Sequence, residues 1–153
     1  MKTILAPVDF SAASEAVLLQ SIELARALGG RVVLLTVIQP PVITNEYAAL
    51  MENIGEVMAA GERNAARRLA ELEARVRAAQ VPVETLQLNG PPVRNILEQA
   101  ARLSADYLVM GSHGHTALYD LLVGSTTHGV LLRAPCPVVI TPGPKAAKPT
   151  RAA

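Results

Sequence analysis

Aromatic residues are scarce in this chain of 153 residues: one Phe, three Tyr and no Trp. That shortage removes the stacking platforms on which single-stranded nucleic acid is usually held. Cys136 is the single cysteine, which excludes an intramolecular disulfide framework and a zinc cage built from thiolates. Charge of one sign is not in excess. The formal net charge is +1, so no global electrostatic argument points to nucleic acid or to an anionic membrane surface. Long apolar runs are missing too. The first, within MKTILAPVDFS, ends at Asp9 and is too short for a signal core or a membrane span. The expectation is a protein of a reducing compartment, the cytoplasm, with neither a nucleic acid nor a membrane as partner.

What the chain does have is aliphatic bulk. Half of its residues are hydrophobic, so the core must be made of Val, Leu, Ile and Ala. That composition suits a parallel sheet whose strands are buried on both faces. The length is that of one domain, able to bury roughly 70% of its unfolded surface without staples.

The order of patterns gives the fold class. Thr3–Val8 is a short apolar strand, and Ser11 is placed to cap the helix that follows. Ala13, Val17, Leu24 and Leu28 share a face of that helix, and Gly29-Gly30 ends it. Arg31–Ile38 is a β-branched strand, which completes a βαβ unit. Pro40 and Pro41 open an irregular connection to about residue 50. A long helix is expected from about Met51 to Ala79, with Met58, Ala65, Leu69, Leu72 and Val76 on one face and its charges solvated. A strand at Val83–Leu88, a turn at Asn89–Pro92 and a helix bearing Val93, Ile96, Leu97, Ala100 and Ala101 follow. Tyr107–Met110, Ser125–Leu132 and Val138–Thr141 are the fourth strand, fourth helix and fifth strand. The result is an α/β protein: a single-domain, open, doubly wound, parallel five-stranded sheet with helices on both faces. The domain is expected over residues 1–142, and residues 143–153 as a flexible tail carrying Lys145, Lys148 and Arg151. Ligands in such sheets bind beyond the carboxyl ends of the strands, which points to Asp9, Val37 and Gly111.

The same place is marked by a motif. Gly111-Ser112-His113-Gly114 follows the fourth strand directly, and Gly124-Ser125-Thr126-Thr127 opens a helix after nine further residues, giving G-x2-G-x9-G-S. Glycine allows backbone N–H groups to approach a phosphate with no Cβ in the way. A helix start supplies free N–H groups and the positive dipole end, and the three hydroxyl residues add donors. The dipole contributes about 0.3–1 kcal/mol, less than several hydrogen bonds to charged oxygens at about 1.5–3 kcal/mol each. No Lys or Arg lies between Gly111 and Thr127, so a divalent cation, Mg2+ or Mn2+, is expected beside a triphosphate. By spacing alone, phosphate binding and an ordinary strand–loop–helix junction remain equal alternatives.

The segment GSHGHTALYDLLVGSTTHGVLLRAPCPVVIT resembles the signature region of the universal stress proteins. ILAPVDFSAASEAVL resembles that family's first strand and helix, LLTVI its second strand, and ADYLVMGSHG its fourth. The spacing is that of the family's nucleotide-binding branch. The resemblance implies strand order 3-2-1-4-5 and ATP held at the strand ends. It implies that Asp9, supported by Pro7 and Val8, faces the ribose or adenine, and that Val37 meets adenine through its backbone. Met110, Gly111, Ser112, His113 and Gly114 would line the ribose and phosphates, and Gly124, Ser125, Thr126 and Thr127 would cradle the phosphate tail. It also implies a homodimer paired through the fifth strand, Val138, Val139 and Ile140. Two departures stand out. His113 occupies a place where arginine is common in relatives, and Thr126 one where a small apolar residue is frequent.

Several residues keep two readings. Asp9 is either a ligand contact or a helix cap. His113 and His115 could ligate a metal, but no third ligand is apparent. Asp120 could help hold a cation, with a solvated loop position the plainer reading. His128 suits a surface or dimer-facing role, Tyr119 loop packing, Cys136 a small buried hydrophobe and Asp106 a turn or cap. Arg94 has no explanation in the sequence.

The function expected is an adenine-nucleotide-binding protein with a stress-response or signalling role, and no residue is assigned to catalysis. Hydrolysis, if present, would be slow, since no general base or transition-state arginine stands beside the phosphates in the motif. The alternatives are a slow metal-dependent ATP hydrolase using Asp9 or Asp120, and a nucleotide-free interaction module. A receiver domain is excluded because its phosphoacceptor Asp and strand-five Lys are missing. A dinucleotide fold is excluded because Asp9-Phe10-Ser11-Ala12 is not G-x-G-x-x-G, and the Walker pattern is absent.

Overall fold

The strands that read as near-continuous apolar runs are the ones with helices above and below them. The computed structural model describes residues 1–40, 53–112 and 123–143. In chain order the elements are β1 (Thr3–Pro7), α1 (Ala13–Leu28), β2 (Arg31–Ile38), α2 (Ile54–Ala78), β3 (Val83–Asn89), α3 (Pro92–Arg102), β4 (Tyr107–Gly111), α4 (Ser125–Leu131) and β5 (Val138–Thr141). All neighbouring strands are parallel, and their order is β3-β2-β1-β4-β5. The expected sheet, its order and the helices on both faces are what the chain forms.

Strand alternation sorts the core into two layers. Ile4 and Ala6 of β1, Val32 and Leu34 of β2 and Val109 of β4 face one way. They pack on Val17, Leu18 and Ala25 of α1 and on Leu69 and Val76 of α2. Leu5, Val33, Leu35, Leu108 and Met110 face the other way, onto Ile96 and Ala100 of α3 and Val130 of α4. The register Ile4↔Val32, Leu5↔Val33 and Leu5↔Leu108 keeps like-facing residues side by side. A slip of one residue would exchange the layers, so the two-sided burial itself holds the register.

Two expectations about helix faces are corrected. Leu28 is 39% exposed and Met58 38% exposed. Leu28 is the last residue of α1, where the chain turns back at Gly29. The buried face of α1 is instead completed by Leu18 and Ala25 and by two serines, Ser14 and Ser21, which a hydrophobic pattern passes over. Ser21 is tolerated there because its hydroxyl donates to the Val17 carbonyl at 2.7 Å. Met58 precedes Ala65, where the buried part of α2 begins. The irregular segment after Pro40, and the segment carrying His115, Tyr119 and Asp120, lie outside the described residues.

The turn out of α1 behaves as its glycines suggest. Gly29 takes the left-handed conformation at φ 61°, and the N–H of Gly30 donates to the Ala25 carbonyl at 2.7 Å. Gly30 serves a second purpose. A Cβ there would stand 2.6 Å from the Lys2 carbonyl oxygen and 2.9 Å from Ile4 Cδ1. That carbonyl already accepts the Arg31 N–H at 2.8 Å, so the backbone is held in place by the sheet. At the same end of the sheet, Asp106 accepts from Lys2 Nζ and from the Thr3 N–H, each at 2.8 Å, joining the start of β4 to β1. Those two donors hold the Asp106 carboxyl below its ordinary pKa. Arg94, unexplained from the sequence, donates to Glu98 one turn along the exposed face of α3.

Gly30→Ala is expected to lower stability by about 1–3 kcal/mol in urea unfolding, since neither the carbonyl nor the strand can move away. Asp106 has its pKa lowered on folding, so its contribution is complete above its ordinary value of 3.8 and disappears as pH falls through the lower folded value. Asp106→Asn should therefore be less stable than wild type at neutral pH. The gap should close from about pH 4 downward, as read from urea midpoints across the acid limb.

Candidate functional site

Chain reversal between β1 and β4 opens the crevice that the sheet topology requires. From β1 the chain winds to β2 and β3 on one side, and then crosses to β4 and β5 on the other. At the carboxyl ends of β1, β2 and β4 lies a cleft of about 640 Å³. Its walls contain Pro7, Val8, Asp9 and Phe10 after β1. Leu35 to Gln39 close it along β2, and Met110 and Gly111 along β4. Gly124, Ser125, Thr126 and Thr127, at the start of α4, complete that side.

The sequence-derived candidates therefore converge. Pro7, Val8, Asp9, Val37, Met110, Gly111 and the run Gly124–Thr127 all line one cavity. Ser112 does not line it. Its N–H donates to the Thr141 carbonyl at 2.9 Å, and its own carbonyl accepts the Gly124 N–H at 2.6 Å. Ser112 thus ties the end of β4 to β5 and to the residue before α4. His113 and Gly114 lie outside the described residues.

Local chemistry explains how α4 is aimed. Gly124 is extended, with φ −64° and ψ 159°, and it is the residue before the first turn. The first bond of the helix runs from the His128 N–H to the Gly124 carbonyl at 2.9 Å. The three N–H groups before His128 consequently have no acceptor within the helix. Thr127 was expected to offer its hydroxyl to a phosphate. That hydroxyl instead donates to the Gly111 carbonyl at 2.7 Å, and Thr127 is only 5% exposed. It fastens the helix start to the end of β4, beside Ser125 and Thr126 in the cleft wall.

Asp9 organises the start of α1 and also stands in the cleft wall. Its Oδ1 accepts the Ser11 N–H at 3.0 Å and the Ser14 hydroxyl at 3.3 Å, while the residue remains exposed in the cleft wall. Ser11 is not the helix cap expected of it. Ala12 occupies the cap position and gives no side-chain bond, so the start of α1 is organised by the carboxylate upstream. Among the described residues, no Lys, Arg or His lines the cleft, and no three His, Cys, Asp or Glu cluster to hold a metal. A cation bound here would need oxygens from a ligand in addition to Asp9.

Sequence reasoning missed the side walls: Ala13 and Val17 of α1, Gly61 and Ala65 of α2, and Pro92 and Ile96 of α3. Each pair is four residues apart and shares a helix face, a visible signal. Nothing in the sequence says that this end of each stripe overlooks a crevice. Cys136 packs half-buried against the second core layer, and burial pushes its thiol pKa up, as suits an inert small side chain. No helix among the described residues is long and apolar enough to cross a membrane.

A doubly wound α/β protein with its crevice at the switch point is thereby defined. The chain belongs to the universal stress protein family, whose model matches residues 1–142. It is 31% identical over 142 residues to universal stress protein A homolog 1 of Coxiella burnetii, covering 90% of this chain and 94% of that one. It is 40% identical over 65 residues to universal stress protein MJ0531 of Methanocaldococcus jannaschii, a stretch spanning only 38% of that relative and 42% of this chain. Among solved structures, the protein MJ0577 superposes with a TM-score of 0.81 at 26% identity, over 95% of this chain and 98% of that one. The same fold occurs in a universal stress protein solved in complex with cAMP, at TM-score 0.69 and 23% identity over 92% of this chain and 95% of that one. It occurs again in one from Archaeoglobus fulgidus solved in complex with dAMP, at TM-score 0.64 and 22% identity over 92% and 96%.

Thr127→Val keeps the side-chain shape but leaves the Gly111 carbonyl without its donor. It should cost about 1–3 kcal/mol in thermal or urea unfolding. Ser125→Ala, at an exposed position, should stay within about 0.5 kcal/mol of wild type.

Proposed function

We propose that this protein binds an adenine nucleotide, ATP with Mg2+ or Mn2+, in the cleft at the carboxyl ends of β1, β2 and β4. The observation that carries the reading is the convergence of the glycine and hydroxyl segment with Asp9 and Val37 on one cavity of about 640 Å³. That volume lies within the usual range for a small-molecule site. The apolar part of the wall, with Val8, Val37 and Met110, suits the flat face of a base. Asp9, beside it, offers an acceptor to ribose or base donors. The start of α4 and the glycines of G-x2-G-x9-G-S suit the phosphates, with Ser112, His113 and Gly114 completing the loop. Relatives of the same fold solved with cAMP and with dAMP support an adenine ligand.

Among the described residues, the cleft wall offers a polyphosphate the Asp9 carboxyl group and no Lys, Arg or His. A divalent cation bridging phosphate oxygens supplies the missing positive charge, which is why binding is expected to depend on it. Among the described residues lining the cleft, Asp9 is the one carboxylate and no base or arginine accompanies it, which favours binding over turnover. The protein would then act as a nucleotide-responsive stress or signalling component of the cytoplasm. β5 is an edge strand, and its Val138, Val139 and Ile140 are half-buried. An apolar edge is best covered by an identical edge, so we assign the homodimer contact there.

Titration calorimetry with ATP tests the reading. Wild type should bind with a Kd in the micromolar range, about −8 kcal/mol, and more weakly when magnesium is chelated. Gly114→Val should abolish binding without changing the unfolding midpoint. A folded wild type that ignores ATP would reject the proposal.

A further inference from the structure

Phe10 has a backbone conformation that its side chain disfavours. Its φ is 62°, in the left-handed region, where a bulky residue is a true outlier. The other non-glycine residues of this kind among those described, Gln80 and Ser104, lie just past the ends of α2 and α3, where the left-handed turn is ordinary. Phe10 instead follows β1, immediately after Asp9, and lines the cleft. Something must hold it there, because such strain persists only where the surroundings over-determine it.

The holding group comes from a different element. Arg68, on the exposed side of α2, donates from Nη2 to the Phe10 carbonyl at 3.0 Å. Its guanidinium carbon also lies 4.7 Å from the centre of the Phe10 ring. One planar cation thus grips both the backbone and the side chain of Phe10, a pair of contacts that suits a guanidinium better than an ammonium. On the other side of Asp9, Val8 is fixed by its N–H to the Leu35 carbonyl at 2.8 Å. The carboxylate therefore sits between two restrained residues, and its bonds to Ser11 and Ser14 follow from that turn.

We infer that Arg68 is a positioning residue for the ligand cleft: it holds Phe10 in the left-handed turn and so sets the Asp9 carboxylate at the cleft wall. The role rests on the nucleotide reading of that cleft. Arg68 does not line the cavity itself, so its influence passes through Phe10.

A double-mutant cycle on the full chain tests the inference, read by calorimetric titration with MgATP and by the unfolding midpoint. Arg68→Met keeps the side-chain stem and should raise Kd roughly tenfold while the chain stays folded. In a Phe10→Gly background the left-handed turn needs no clamp, because glycine adopts it freely. There Arg68→Met should change Kd by less than about twofold, since no strained turn remains to be held. Wild-type affinity in Arg68→Met overturns the inference. An equal loss in both backgrounds overturns it too, because Arg68 would then act on the ligand by charge alone. If Arg68→Met does not fold, Arg68→Leu takes its place with the same outcomes. A folded wild type that binds no MgATP rejects the nucleotide reading and the positioning role together; normal wild-type binding with normal Arg68→Met binding rejects only the role of Arg68.

Discussion

The pairing of β1 with β2 on one side and β4 on the other is the constraint on which the rest of the molecule depends. Ile4, Leu5 and Ala6 have no exposed surface, and each is fixed by parallel neighbours and by helices above and below. Because the chain leaves β1 in one direction and returns to its other edge through β4, the loops after these two strands diverge. A crevice at their carboxyl ends follows from the connectivity, before any side chain is considered. The buried aliphatic layers then make the crevice walls rigid, since a close-packed core does not deform by degrees.

What makes the crevice chemically specific is where the polar groups are committed. Thr127, Ser112 and Thr141 direct hydroxyl or backbone bonds to the ends of β4 and β5, so they fasten those strand ends to each other and to the start of α4. Ser125 and Thr126, in the first turn of the helix, line the cavity beside them. Asp9 has a comparable double life, organising the start of α1 while standing in the cleft wall. In each case a residue that looks like a ligand contact also supports its neighbours. For such residues, loss of binding in a variant has to be read together with loss of stability.

The opposite end of the sheet carries a separate set of fasteners. Gly30 allows the β2 start to run close to Lys2, and Asp106 joins β4 to β1 through Lys2 and Thr3. Neither touches the cleft. These fasteners at the amino ends of the strands are thus separate from the cleft, which lies at the carboxyl ends.

Much of this was legible in the sequence. The fold class follows from the alternation of apolar strand runs with amphipathic helices, and Arg31–Ile38 and Val138–Thr141 have the bounds their composition predicts. The glycine and hydroxyl spacing pointed to one wall of the cleft, where Gly111 and Gly124 to Thr127 lie, because residue type and short-range spacing are displayed by a linear chain. Other features needed three dimensions. That Thr127 turns its hydroxyl to Gly111 rather than into the cavity is decided by a strand sixteen residues earlier. That Gly61, Ala65, Pro92 and Ile96 end in the same crevice, and that Arg68 reaches Phe10 across 58 positions, is decided by how helices settle on opposite faces of one sheet. Periodicity encodes which side of an element is buried. It does not encode which other element meets it there, since that is fixed only when the strands have paired and the layers have closed.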